Sequence, residues 1–426
     1  MQTTLKIREE LQKGALDQRL LEIYVDPAML AYHKGRYDGA LKEFEKLYGE
    51  GEVEIYSAPG RSEVAGNHTD HQHGEVLAAS VNLDAIAIVK KTDDGRIRLK
   101  SDGYPMITVE LAELAVKENE KGTSAGLIRG MAYGLSRNGH TIGGFQAYVT
   151  SDVLGGAGLS SSAAFEVLVG TVLSGLYNDM SIDPVEIAQV AQFSENVYFG
   201  KPCGLMDQMA SSVGGLIHID FEDTKNPLVE KVEVDFAAYD HSLCITDTKG
   251  SHADLTDEYA AVPAEMKQVA GYFGKEVLRQ VDEAAFFSEI TSLRKEFGDR
   301  PVLRAIHFFK ENRRVEQQVE ALKQGRFQEF LQLVQESGNS SFKYLQNVYT
   351  SKDVQNQAVS IGLAVSESIL PGQGVSRVHG GGFAGTIQAF VKNDFVEQYR
   401  AALDGVYGTG SCHVLKVRPV GGVKIW

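Results

Sequence analysis

Residues 152–167, DVLGGAGLSSSAAFEV, set three glycines (Gly155, Gly156 and Gly158) and three serines (Ser160, Ser161 and Ser162) before an apolar run. Glycine lets a backbone approach a ligand closely and adopt positive φ. A helix start adds unpaired N–H groups and the positive end of a dipole, which together suit an anion, phosphate first. The common nucleotide loop, G-x-x-x-x-G-K-[ST], is absent, so phosphate charge has to be met without its lysine. Serine hydroxyls can bond phosphate or coordinate Mg2+. As a structural element alone, the stretch is a tight turn in which Ser160 caps a helix. Three serines after three glycines exceed what a cap requires.

Three other stretches offer complementary chemistry. GNHTDHQHG (66–74) contains His68, Asp70, His71 and His73. Its spacing does not match a helical zinc site, whereas Asp accepting from vicinal hydroxyls and His donating or accepting suit a polyhydroxylated ligand. A structural turn is the plainer alternative. CGLMDQMASS places Asp207 in an otherwise apolar stretch, where a carboxylate is costly unless it is paired or used. It can form a salt bridge or cap, or it can position and deprotonate a hydroxyl. Arg61, in APGRSEVAG, is the cation available to pair with it or to neutralise a transferring phosphate. HGGGFAG (379–385) has the composition of an esterase oxyanion loop, but G-x-S-x-G is missing and the order is reversed. It reads better as a turn where two chain segments approach closely.

The elements that must hold these residues are legible in outline. The first fifty residues read as charged helices, with ALKEFEKLYGE amphipathic. VEIYSAPG is a strand, and GRSEVAGNHTDHQHG is too polar and glycine-rich for regular structure. VLAASVNLDAIAIVKK and RIRLKS are strands, and TSAGLIRGMAYGLSRNG is a helix capped by Thr123 or Ser124. GFQAYVTSD is a strand feeding the glycine–serine loop. Residues 159–177 form a helix apolar on nearly every face, and hence buried. Two helices, the strand LIHIDF and a polar boundary near FEDTKNPLVEK follow. Strands HSLCITDT and VSRVH…TIQAFV, long helices over 301–337, and a final helix and strand complete a two-domain α+β pattern.

Composition narrows the function. A net charge of −15 leaves no basic surplus for nucleic acid or an anionic membrane. Three scattered cysteines suit reduced thiols in the cytoplasm. The charged N-terminus lacks a signal-peptide core, and no apolar run reaches membrane-spanning length.

Three segments, APGRSEVAGNHTDHQHG, GGAGLSSSAAFE and GVSRVHGGGFAG, resemble in order the motifs of the galactokinase branch of the GHMP kinases. SENVYFGKPCGLMDQ and LTDEY resemble two further galactokinase stretches. The resemblance runs from about Gly51 to the C-terminus. It implies an ATP-dependent kinase acting on the anomeric hydroxyl of galactose or a related sugar, with a small-molecule sugar and ATP as ligands. Gly155, Gly156, Gly158, Leu159, Ser160, Ser161, Ser162 and Ala163 would wrap ATP, with Ser162 and Glu195 on Mg2+. Asp207 would be catalytic with Arg61 as its cation, and Asn67, His68, Asp70, Gly204 and Tyr259 would contact sugar. The implied fold is α+β, a ribosomal-S5-like N-terminal domain (51–228) facing a ferredoxin-like C-terminal domain (229–426) across the active-site cleft. Residues 1–50 form a helical extension.

The chain departs from the family at Asn67, usually glutamate, at His71, usually tyrosine, at His379, usually threonine, and at Ala384, usually glycine. Asn67 bears on which sugar is taken, because pockets built around particular hydroxyls discriminate strongly. A non-catalytic sugar- and ATP-binding regulator, or a kinase for an amino sugar or pentose, are the alternatives. The regulator would lose residues of the second motif, which are present here.

Overall fold

The computed structural model describes residues 2–153, 155, 158–234, 236–250 and 255–426. In chain order its elements begin with β1 (Gln2–Thr3), α1 (Thr4–Gln12), α2 (Asp17–Tyr24), α3 (Leu30–Tyr48), β2 (Glu52–Ala65), β3 (Glu75–Thr92), β4 (Arg96–Ser101) and β5 (Met106–Glu110). Next come α4 (Ser124–Arg137), β6 (Gly144–Ser151), α5 (Ser161–Asn178), α6 (Pro184–Phe193), a π-helical turn (Ser194–Phe199), α7 (Met206–Val213), β7 (Leu216–Asp220) and β8 (Leu228–Lys231). The remainder is β9 (His241–Asp247), α8 (Thr256–Tyr272), α9 (Glu283–Ser288), α10 (Ile290–Phe297), α11 (Asp299–Lys323), α12 (Phe327–Ser340), α13 (Ala358–Ile369), β10 (Gly374–His379), β11 (Thr386–Lys392), α14 (Val396–Tyr407), β12 (Cys412–Leu415) and β13 (Val423–Lys424).

The first sheet runs β1-β2-β3-β6-β4-β5, with β7 and β8 alongside the start of β3 and β13 beside β2. Alternation along its strands assigns the two faces. Tyr56, Ala58, Ala87 and Val89 meet α4, α5 and α6 through Ile128, Met131, Val167, Leu168 and Ile187. Ile55, Ile86 and Ile88 face the other way, onto Ile7, Leu20, Tyr24, Leu41 and Phe44 of the N-terminal helices. Those helices therefore cover one side of the sheet. The second sheet, β10-β11-β9-β12, is antiparallel. Its one face packs on α13 and α14, and Leu243, Ile245 and Phe390 on the other meet α11, α12 and strand residues Leu77 and Val81 of the first sheet. This is the α+β, two-sheet architecture expected. Strand β8, which straddles residue 228, belongs to the first sheet, and so does the returning C-terminal strand β13.

One expectation is corrected. Residues 60–65 were expected to be irregular because they are polar, yet they extend β2. Register shifts at Pro59/Arg61 and Glu63/Ala65 bend the strand, and its polar side chains are buried with partners. Ser62 Oγ lies 3.1 Å from His379 Nε2, and Glu63 accepts from Arg377 Nη2 at 2.6 Å. Elsewhere Thr123 is the N-cap of α4, its hydroxyl accepting from Gly126 N.

A buried charge cluster binds the N-terminal helices to the glycine–serine loop. Asp84 on β3 is fully buried and accepts from Arg36 Nη1 at 2.5 Å, Tyr24 Oη at 2.8 Å and Arg418 Nη1 at 3.0 Å. Arg36 also contacts Asp152 Oδ2 at 3.1 Å, and Tyr32 donates to Asp152 Oδ1 at 3.0 Å, at the base of the loop. Burial alone would raise the Asp84 carboxyl, but Arg36 and Arg418 outweigh it and hold it at about 2. Because this folded value lies below the unfolded one, the contribution is complete above about pH 4 and is lost as pH falls toward 2. Asp84→Asn leaves two buried guanidinium groups short of charge, so it is expected to destabilise the chain by about 3–5 kcal/mol at pH 7. Chemical denaturation at pH 7 and again near pH 3 checks this: the gap to the wild type should narrow at the lower pH.

Candidate active site

Asp207 opens the first turn of α7 and is held from two other segments. Arg61 on β2 forms a fork with it, Nε to Oδ1 at 2.5 Å and Nη2 to Oδ2 at 2.8 Å. Ser160, at the end of the glycine–serine loop, donates its hydroxyl to Oδ2. Arg61 grips the loop as well: its Nη1 donates to Gly158 O, and its main-chain N donates to Leu159 O at 3.1 Å. Burial would raise the Asp207 carboxyl, but the Arg61 charge and the Arg61 and Ser160 hydrogen bonds outweigh it and hold it below the usual carboxylate range. The side chain remains 32% exposed, so this ionised group faces open space. Such a carboxylate can orient a hydroxyl and take its proton.

Ser160 occupies the N-cap position of α5 but makes no side-chain capping bond, which disfavours the plain-turn alternative. Its φ of 54° puts it in the left-handed region, and its hydroxyl is turned to Asp207 rather than to the helix N–H groups. The first turn of α5 is thus left without a side-chain cap, as an anion site requires. Gly158, at φ 67°, is a position where a side chain would meet Thr386 and His379. The side chains of Leu159 and Ala163 are buried, so only their main chain can serve a ligand. Gly156 lies outside the described residues.

A cavity of about 560 Å3 opens beside this turn. Gly155, Ser161 and Ser162 line one end, and Tyr104, Leu127, Val153, Phe165 and Phe199 supply apolar wall. None of those wall residues was singled out from the sequence, although Val153 and Phe165 flank the glycine–serine loop itself. Where Ser162 faces the π-helical turn, its hydroxyl lies 3.4 Å from Glu195 Oε1, which Lys201 Nζ also approaches at 3.3 Å. Gln208 Nε2 donates to Glu195 Oε2 at 2.8 Å and to Glu166 Oε2 at 3.2 Å. Glu166 Oε1 is buried without a partner, and burial, then Glu195, pushes that carboxyl well above its ordinary value. Hydroxyl and carboxylate oxygens with one orphaned acceptor fit a hard divalent cation such as Mg2+. Glu166 was missed, although its position one helical turn after Ser162 was a usable signal.

A second cavity of about 350 Å3 is lined by Asp207, which Ser160 ties to the turn bordering the first. His68, Asp70, Gly204 and Tyr259 line it with Arg61 and Asp207. A Cβ at Gly204 would displace the Asp70 carboxylate, which rests against that glycine. His68 Nε2 lies 3.0 Å from Gly381 O, and burial followed by His71 lowers the ring to about 4, so it is neutral at pH 7. The Tyr259 hydroxyl donates to Gly382 O at 2.8 Å, and burial raises it to about 12. The triple-glycine loop is a close approach, since side chains at Gly381 and Gly382 would strike Tyr259 and Asn347. His379 is held between Ser62 and Thr386.

Asn67 is corrected, because it does not reach this cavity. It is fully buried, and its amide is saturated: Nδ2 donates to Glu63 Oε1 at 3.0 Å and Gly380 O at 2.7 Å, while Oδ1 accepts from Asn347 at 2.8 Å and Ser341 at 3.2 Å. Among the described residues, no three His, Cys, Asp or Glu side chains gather as a metal cluster.

Comparison with known proteins agrees with this geometry. Residues 126–215 match the GHMP kinases N terminal domain, and residues 42–91 match the galactokinase galactose-binding signature. The chain is 29% identical over 380 residues to a galactokinase of Streptomyces coelicolor, covering 88% of this chain and 94% of that one. It superposes on Lactococcus lactis galactokinase complexed with galactose at a TM-score of 0.76 and 26% identity, covering 90% and 98% of the two chains. A Methanococcus jannaschii mevalonate kinase shares the fold at a TM-score of 0.60 and 16% identity, over 86% and 99%. Over most of its length the chain is thus similar to galactokinases, and two of its segments match family models of the galactokinase and GHMP kinase type.

Proposed function

We propose that this chain transfers the γ-phosphoryl group of ATP to the anomeric hydroxyl of galactose or a closely related hexose, giving the sugar 1-phosphate and ADP. The observation that carries this reading is the forked Arg61–Asp207 pair in the smaller cavity, tied through Ser160 to the turn that borders the larger one. The larger cavity takes the nucleoside, and the uncapped start of α5 takes the phosphates. His68, Asp70 and Tyr259 hold the sugar in the smaller one. Asp207 aligns the anomeric oxygen with the γ-phosphorus. As that oxygen bonds to phosphorus, the bond from phosphorus to the ADP oxygen breaks and the hydroxyl proton passes to Asp207. Phosphoryl transfer has a loose transition state, so alignment and charge stabilisation are most of what the protein must supply. Arg61 offsets charge on the equatorial oxygens.

Ser162 and Glu195 would hold a Mg2+ ion, which when bound neutralises phosphate charge. Lys201 and Gln208 orient Glu195 for that task. We place the reaction in the cytoplasm, where ATP is available and the three free thiols stay reduced; among the described residues no helix is long and apolar enough to cross a membrane.

ADP release in a coupled assay, with galactose among a panel of hexoses, pentoses and amino sugars, tests the reading. Turnover should require both Mg2+ and sugar, and no release with any acceptor overturns it. Asp207→Asn should lower kcat by about 10²–10⁴-fold with the fold intact. Arg61→Leu frees the Asp207 carboxyl to rise, so the acid limb of the kcat/KM profile should shift to higher pH while the rate falls about 10²–10³-fold. Ser162→Ala should raise the Mg2+ concentration needed for half-maximal rate, with the sugar KM little changed.

A further inference from the structure

One carboxylate in the smaller cavity has no task in the reaction as described. Glu63 lies on β2 two residues after Arg61, where alternation places both side chains on the same face of the strand. It lines the cavity with His68, Asp70 and Gly381. Its Oε1 is occupied, accepting from Arg377 Nη2 at 2.6 Å and Asn67 Nδ2 at 3.0 Å. No described residue donates to Oε2. Arg377 is itself fully buried and fixed, since it also donates to Val64 O and Val378 O at 2.9 Å. The carboxylate is therefore locked in orientation, with one oxygen committed to the protein and the other left for whatever enters.

A buried ion pair would be satisfied by Oε1 alone. Burial pushes the Glu63 carboxyl up, against the pull of Arg377 and Arg61, so an added donor at Oε2 would favour the charged form. Asn67, one position from His68, is sealed on all four of its hydrogen-bonding valences and cannot serve a ligand. The acceptor expected at residue 67 is instead offered by residue 63, which the amide of Asn67 helps to hold in place.

Building on the sugar-kinase reading, we propose that Glu63 Oε2 accepts a hydrogen bond from a sugar hydroxyl other than the one held by Asp207. Glu63 is thereby a specificity-determining residue of the acceptor cavity. A neutral side chain at the same place keeps the shape and loses the strong charge-assisted acceptor. A sugar lacking the matching hydroxyl leaves the carboxylate unpaired, and that mismatch is what discriminates.

Calorimetric binding of galactose and of its monodeoxy analogues to the full chain, beside steady-state ADP release, tests this. Glu63→Gln should weaken galactose binding about 10–100-fold, with most of the kinetic loss in KM rather than kcat. One monodeoxy analogue should bind the wild type poorly and lose nothing further in the variant, as in a cycle between protein and ligand. Glu63→Gln leaves Arg377 short of a counter-charge, so the paired variant Glu63→Gln/Arg377→Met is measured too, with the ATP KM as a check on folding. An unchanged ranking of the analogues in either folded variant overturns the assignment while turnover leaves the kinase reading standing. Wild-type binding of galactose without ADP release, with the analogue pattern as expected, sinks the kinase reading and supports Glu63.

Discussion

A single ionised carboxylate, Asp207, fixes the geometry on which the two ligand cavities depend. It is gripped by a guanidinium from β2, a hydroxyl from the glycine–serine loop and the first turn of α7. Removing charge from water costs several kcal/mol per ion unless a well-formed partner replaces it. Any slide of the loop against β2 would strip Arg61 or Asp207 of part of its shell. The end of the loop at Gly158–Ser160 is therefore held by these polar contacts together with the burial of Leu159. The same contacts explain the left-handed backbone at Ser160, a strained position for serine unless its surroundings over-determine it.

A second buried charge cluster supports the first from behind. Asp84, Arg36, Arg418 and Asp152 connect β3, α3, the C-terminal segment and the base of the loop. Between the two clusters runs β2, a strand whose later half is polar yet buried. Its side chains meet partners from α7 and from the second sheet: Asp207 for Arg61, His379 for Ser62, Arg377 for Glu63. The strand thus works as a spine on which one side chain after another is committed to a different neighbour. The smaller cavity is walled by residues from both halves of the chain, Arg61 and Asp207 from one and Tyr259, Gly380 and Gly381 from the other.

Much of this was legible in the residues. The β-branched runs of β3 and the cap at Thr123 announce themselves through local chemistry, and the apolar helix after the serines could only be buried. The glycine–serine loop, Arg61 and Asp207 stood out as a group too costly to bury without purpose. What was not legible depends on partners distant in sequence. Residues 60–65 look like a loop because burial of Ser62 and Glu63 is made tolerable by His379 and Arg377, more than three hundred residues away. Asn67 has a ligand-binding residue type, but type does not say which way an amide points, and Ser341, Asn347 and Gly380 claim it. Glu63 and Glu166 were passed over for the same reason. The apolar wall of the larger cavity carries no motif at all, only side chains that could equally fill a core.

Residues 2–3 and 423–426 lie side by side on β2. Gln2 pairs with Val53 and Val423 with Ser57, while Ile425 N donates to Ile55 O and Ile55 N donates to Trp426 O. Strand β2 therefore joins segments about four hundred residues apart, and so distant a closure is costly in chain entropy and forms late in folding.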